Sequence, residues 1–185
     1  MKVELCTNRL VLRTAEPALA PAVLAYFEEN RAHLAPTSPP LPADFYTLTG
    51  TERRLARAEE ELAHERQVPF FVLQGKEVIG TVNFNQCCRG VFLAAYVGYG
   101  IGHRHEGRGL MREALEAAIG HMFDERGFHR IMANYLPTNE RSGGLLRRLG
   151  FVVEGYARDY LFIAGAWRDH VMTSLTNPDA PPPVV

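Results

Sequence analysis

Tyr99-Gly100-Ile101-Gly102-His103-Arg104-His105-Glu106-Gly107-Arg108-Gly109-Leu110-Met111 is the stretch that decides the fold. An apolar, β-prone run from Phe92 to Ile101 leads into it, Gly107 and Gly109 turn the chain, and Leu110, Ala114, Leu115, Ala118 and Met122 follow at helical spacing. The stretch reads as strand, loop and helix. Its glycines let a ligand approach the backbone closely, and the first helical amides, at Gly109, Leu110 and Met111, have no intrahelical partner. Together with the positive end of the helix dipole they suit a phosphate or pyrophosphate. Two other phosphate loops are excluded. A P-loop requires Lys-Ser or Lys-Thr after its last glycine, where this chain has Leu110-Met111, and a dinucleotide fingerprint requires a third glycine. A tight strand-to-helix turn that binds nothing would use the same two glycines, so the rest of the chain has to decide.

A chain of 185 residues with 46% apolar content forms one domain with a substantial core. Its net charge of -1 argues against a broad electrostatic hold on nucleic acid or an anionic membrane. The basic residues cluster only locally, at Arg53, Arg54 and Arg57, at Arg104 and Arg108, and at Arg141, Arg147 and Arg148. Each cluster also reads as a solvated face. The N-terminus has no apolar segment of signal-peptide length and no run approaches a membrane span, which predicts a cytoplasmic protein. Three cysteines, two of them adjacent at Cys87 and Cys88, provide neither a disulfide framework nor metal-ligand spacing, so no metal is expected.

In chain order, Asn8 to Thr14 alternates as a first strand, and Pro17 opens a helix that runs to about Asn30. The run from Pro36 to Pro42, with four prolines, is a loop. Thr49 and Glu52 resemble a capping box for a thinly apolar helix from about Thr51 to Arg66, which makes a lid beside that loop. Phe70–Leu73 and Val78–Asn85 form a hairpin. Arg130–Tyr135 is a strand, Asn139–Leu149 a helix stopped by Gly150, and Phe151 onward a return strand, followed by a last strand at Val171–Leu175. Residues 1–176 thus make one domain, and 177–185, rich in proline, a disordered tail. Hairpins early and crossovers late predict an α+β fold with a mixed sheet.

The order of elements, with the anion loop after the fourth strand, resembles the GNAT acetyltransferase superfamily. Further motifs are similar to its RimJ/RimL-like branch, the ribosomal-protein-alanine N-acetyltransferases. They are His129-Arg130-Ile131-Met132-Ala133-Asn134-Tyr135, Asn139-Glu140-Arg141-Ser142-Gly143, Leu149-Gly150-Phe151 with Glu154-Gly155-Tyr156, and Gly165-Ala166-Trp167-Arg168-Asp169-His170. The resemblance covers about residues 7 to 175. It implies a mixed, mostly antiparallel seven-stranded sheet with helices on both faces, acetyl-CoA as donor, and the α-amine of a ribosomal-protein N-terminus as acceptor. It implies one protein chain per active site; a monomer or homodimer is expected, and the net charge predicts no direct contact with nucleic acid or membrane. Cofactor contacts carry over to Tyr99, Ile101, His103, Glu106, Gly107, Arg108, Gly109, Leu110, Met111, Asn139 and Ser142.

Two positions depart from the pattern. Glu106 stands where relatives carry Gln or Arg, and a carboxylate beside a pyrophosphate is repelled unless it faces solvent or pairs with Arg104 or Arg108. Thr37 stands where relatives carry a tryptophan that walls the acceptor site.

An amine attacking a thioester must be neutral, its oxyanion must be held, and the departing thiolate must be protonated. A free α-amine titrates near ~7.7 to 8.0, so a modest base suffices. Ser142 is the acid that the resemblance implies, with Tyr156 as the rival; Asn139 and Ser142 also read as simple helix caps. Asn83 or Asn85 ordering a water, Tyr135 and His103 are all candidates for the base. Trp167, Asp169 and His170 either shape the acceptor pocket or belong to a final hairpin with a buried aromatic. Two rival functions share these features: acetylation of a polyamine or aminoglycoside, and a non-catalytic acyl-CoA-binding role in ribosome assembly.

Overall fold

The computed structural model describes residues 2–180 and 182. Among the described residues the mixed sheet has eight strands, in the spatial order β1-β2-β3-β4-β5-β6-β8-β7. These are β1 (Glu4–Cys6), β2 (Val11–Thr14), β3 (Val68–Gln74), β4 (Glu77–Cys88), β5 (Ala94–Ile101), β6 (Arg130–Tyr135), β7 (Val152–Ile163) and β8 (Ala166–Thr176). The helices are α1 (Ala20–Glu29), α2 (Arg31–Leu34), α3 (Leu48–Ala63), α4 (Leu110–Gly120) and α5 (Glu140–Arg148). Only β5 and β6 run parallel among neighbouring strands; every other pair is antiparallel.

Strand periodicity divides the core in two. Phe70 and Val72 of β3, with Val82 and Phe84 of β4, pack with Leu110, Ala114, Leu115 and Ala118 of α4 and Leu146 of α5. Phe71 and Leu73, with Val78, pack on Val23 and Tyr26 of α1 and Leu55 of α3. Helices therefore cover both faces, as expected. Side chains such as Phe70 and Phe84 have no exposed surface, and burying each one stabilises the sheet by about 1.5–3 kcal/mol.

Several local expectations need correction. The strand expected from Asn8 begins at Val11, because Thr7 closes a turn by bonding Leu10, and a separate strand, β1, precedes it. That is the eighth strand. The cap of α3 is Thr47 and not Thr49: the Thr47 hydroxyl accepts the Gly50 amide at 3.0 Å. The helix accordingly spans Leu48–Ala63 instead of Thr51–Arg66. After Gly120 the fourth helix widens into a π-helical turn, His121–Glu125. Trp167 is 60% exposed, packed edge to face on Phe162, whereas His170 is buried in that hairpin.

Of the tail expected from Asn177, residues 181 and 183–185 lie outside the described ones. Asn177 itself donates its amide to the His129 carbonyl at 2.8 Å. Among the described residues no helix is long and apolar enough to cross a membrane.

Candidate active site

Strands β5 and β6 pair only from Ala94–Arg130 to Tyr96–Met132. Beyond that point they separate, so the edge of Val97–Ile101 facing β6 has no strand partner, while its other edge stays paired to β4. A gap thus opens in mid-sheet, with unpaired backbone amides and carbonyls on one wall. Alternation fixes what faces where. Tyr99 pairs with Val82 and points to the α4–α5 face, whereas Gly98 and Gly100 pair with Asn83 and Thr81 and lie on the α1–α3 face.

At the end of the gap lies the anion loop. Gly107 and Gly109 both have left-handed backbones, with φ of 70° and 74°, and nothing lies within 4 Å of where a Cβ of Gly107 would stand. α4 starts at Leu110 with no side-chain cap. Leu110 and Met111 bury their side chains in the core, which leaves only their amides for a ligand. Glu113, the acidic residue of the first turn, is held by Arg9 at 2.6 Å and by the Thr7 hydroxyl at 2.6 Å, which removes its charge from the anion site. The Arg108 carbonyl accepts a further bond from Arg9. These features fit the pyrophosphate of a CoA thioester.

Glu106 does not pair with Arg104 or Arg108. Its partner is Arg141, one residue before Ser142 on α5, while Arg104 binds Glu29 at 2.8 Å. His33 Nε2 and His103 Nδ1 approach the same carboxylate at 3.5 and 3.4 Å. These three side chains form a tight donor cluster, and the guanidinium supplies the positive charge that the carboxylate requires. The His103 amide is bound to Asn30 Oδ1 at 2.9 Å, and Asn30 Nδ2 donates to the Tyr26 carbonyl. The loop is thereby fastened to α1.

On the α4–α5 face the Ser142 and Tyr99 hydroxyls lie 2.7 Å apart. Burial pushes the Tyr99 phenol up to about 12, against a smaller opposing pull from the bond to Ser142. Asn139 Oδ1 accepts the Ser142 amide at 3.1 Å, so Asn139 is the cap of α5. Tyr156 points elsewhere: it is largely exposed and donates to Asp169 Oδ2 at 2.7 Å, a bond that raises its phenol. The ring of Tyr135 packs against Gly143, where a Cβ would stand 2.8 Å from it.

On the α1–α3 face a cavity of about 200 Å³ lies beneath α3. Phe27, Arg54, Pro69, Thr81, Asn83 and Asn85 line it. The helix expected as a lid near Thr51–Arg66 borders this cavity, with its boundaries shifted to Leu48–Ala63. Arg54, read from sequence as part of a solvated cluster, stacks 3.7 Å over the Phe45 ring and donates to the Phe45 carbonyl at 2.6 Å. Thr37 ends a 3-10 turn and donates to the Leu34 carbonyl, well exposed. Sequence reasoning missed the contacts of Asn30, Arg54 and Tyr26; an asparagine at the end of α1, among charged residues, carries no signal of the loop it holds.

The comparisons agree with this geometry. The acetyltransferase (GNAT) domain family matches residues 9–152. The chain is 47% identical over 185 residues to the [ribosomal protein uS5]-alanine N-acetyltransferase of Escherichia coli, covering 98% of this chain and 94% of that protein. It is 33% identical to a probable N-acetyltransferase, YjcK, of Bacillus subtilis, over 92% of this chain and 95% of the relative. The crystal structure of a ribosomal-protein-S5-alanine acetyltransferase from Vibrio fischeri superposes with a TM-score of 0.93 at 38% identity, covering 97% of this chain and all of the other. That of Mycobacterium smegmatis RimJ in complex with CoA-disulfide gives 0.88 at 28%, over 94% and 85% of the two chains. With a split sheet, an uncapped helix behind a glycine turn and these relatives, the chain belongs to the GNAT acetyltransferase family.

Proposed function

We propose that this protein transfers acetyl from acetyl-CoA to the α-amine of an N-terminal alanine, on a ribosomal protein of the uS5 type. The observation that carries the reading is the split between β5 and β6, which has a proton donor on one face and a lined cavity on the other. The pyrophosphate rests on the amides that begin α4, and the pantetheine arm lies along the free edge of Tyr99–Ile101. The acceptor enters from the α1–α3 side. Its nitrogen attacks the acetyl carbon, the oxyanion is held by backbone amide, and the amine's proton leaves through a water held at Asn83 and Asn85. As the C–S bond breaks, Ser142 protonates the thiolate while taking a proton from Tyr99, and solvent water returns a proton to Tyr99 before the next turnover.

Near-full-length identity to the E. coli enzyme supports alanine as the acceptor residue. So does the modest charge of the site. A polyamine site gathers carboxylates, yet the cavity is lined by amides, hydroxyls and one guanidinium. In kcat/KM, a peptide beginning with free alanine should exceed spermidine and aminoglycosides by at least about a hundredfold, ~2.7 kcal/mol of transition-state discrimination. Blocking its α-amine while leaving its lysines free should abolish turnover. If spermidine or a lysine side chain matches the peptide, the acceptor assignment is wrong while the acetyl-CoA chemistry stands.

A further inference from the structure

Tyr26 is 3% exposed, and its hydroxyl has no hydrogen-bond partner among the described residues. A buried phenol without a partner forfeits its hydration, so the isosteric phenylalanine would be at least as stable there. The hydroxyl is also specifically placed. It lies 3.5 Å from where a Cβ of Gly100 would stand, on the α1–α3 face of the strand whose free edge borders the gap. Leu34, on the four-residue helix α2, covers the same point at 3.6 Å. Leu34 is half-buried at the rim of the α1–α3 core, and α2 fully buries none of its residues, so the side chain can turn away without opening the centre of that core.

The position of the hydroxyl relative to the anion loop is fixed. The Tyr26 carbonyl accepts from Asn30 Nδ2, and Asn30 Oδ1 in turn holds the His103 amide. Burial also drives the phenol well above its ordinary range, so the group stays neutral and neither adds nor removes charge at working pH. It can serve an amine only by hydrogen bonding.

We propose that the Tyr26 hydroxyl is a ligand of the acceptor's attacking amine. It is reached when Leu34 swings aside, and it accepts an N–H from the neutral amine so that the lone pair faces the acetyl carbon beside Gly100. No bond is made or broken at Tyr26. This inference rests on the reading of a primary amine as acceptor.

The test is Tyr26→Phe, assayed with an alanine-initiated peptide, together with acetyl-CoA affinity by titration calorimetry and thermal stability by scanning calorimetry. The expected result has three parts: kcat/KM for the peptide falls at least tenfold, the dissociation constant for acetyl-CoA stays within twofold, and the melting temperature holds or rises. A kcat/KM within twofold of wild type overturns the proposal, because the hydroxyl would then need only water. Equal loss of acetyl-CoA affinity also overturns it, by placing the group on the donor. If wild type ignores the peptide, the acceptor assignment has failed on its own. The same variant, measured with whichever primary amine wild type does accept, then decides the role of Tyr26.

Discussion

At residue scale the unusual feature is a carboxylate at the mouth of the proposed anion site. Glu106 is tolerated because Arg141 faces it, and Arg141 is the neighbour of Ser142. A unit charge ~6 to 8 Å from a pyrophosphate near the surface is worth roughly 1–2 kcal/mol. Removing the guanidinium alone should therefore weaken CoA binding by about 5- to 30-fold at low salt, and the loss should shrink as salt is raised. Glu106→Gln added to Arg141→Ala should restore affinity to within about threefold, since the charge being neutralised is then gone. Calorimetric titration of the single and double variants is the check. A double variant as weak as Arg141→Ala would show instead that Arg141 bonds the phosphates itself. The misplaced carboxylate was legible in the sequence but its partner was not: 35 residues separate Glu106 from Arg141, and the local alternatives, Arg104 and Arg108, were nearer along the chain.

At the scale of elements, legibility followed burial. β3 through β6 were readable because their apolar residues alternate or run together over strands of six to twelve residues. β1 was not, since it has three residues, of which only Leu5 is half-buried, and it exists by pairing with Leu12 across a turn. The cap of α3 was misplaced because Thr47 and Thr49 offer the same hydroxyl, and only the extended backbone at Thr47, φ −123° and ψ 154°, selects one. α5 was located correctly by Asn139 and Gly150, and it delivers Ser142 to Tyr99. Loss of this donor should lower kcat for Ser142→Ala by about 10- to 100-fold with little change in acetyl-CoA affinity. The direction of the Tyr99 shift adds a pH signature. A phenol raised to about 12 stays protonated throughout the neutral and mildly alkaline range, so the pair keeps its donor there, and wild-type kcat should show no alkaline fall below pH ~10. A fall in kcat centred near pH 8 to 9 would assign the acid to another group.

For the whole molecule, the sheet is a partition with a slot in it. The anion loop and the Ser142–Tyr99 pair belong to the α4–α5 side, the lined cavity to the α1–α3 side, and the gap between β5 and β6 joins them. Donor and acceptor can thus be bound together, each against its own face, with the reacting atoms meeting in the slot. A covalent enzyme intermediate would require a nucleophile there. Cys6 and Cys88 are exposed surface thiols, and Cys87, the remaining one, is pushed up to about 11 by burial, so it carries little thiolate near neutrality. This layout is the one that direct transfer within a ternary complex, the mechanism proposed above, requires. Initial rates at several fixed peptide concentrations should give intersecting double-reciprocal lines. Intact mass spectrometry of the enzyme mixed with acetyl-CoA alone should show no added acetyl group that a later pulse of peptide removes. Parallel lines together with such a chaseable adduct would mean that the acetyl group passes through a side chain, and that the two faces of the sheet are used in turn instead of together.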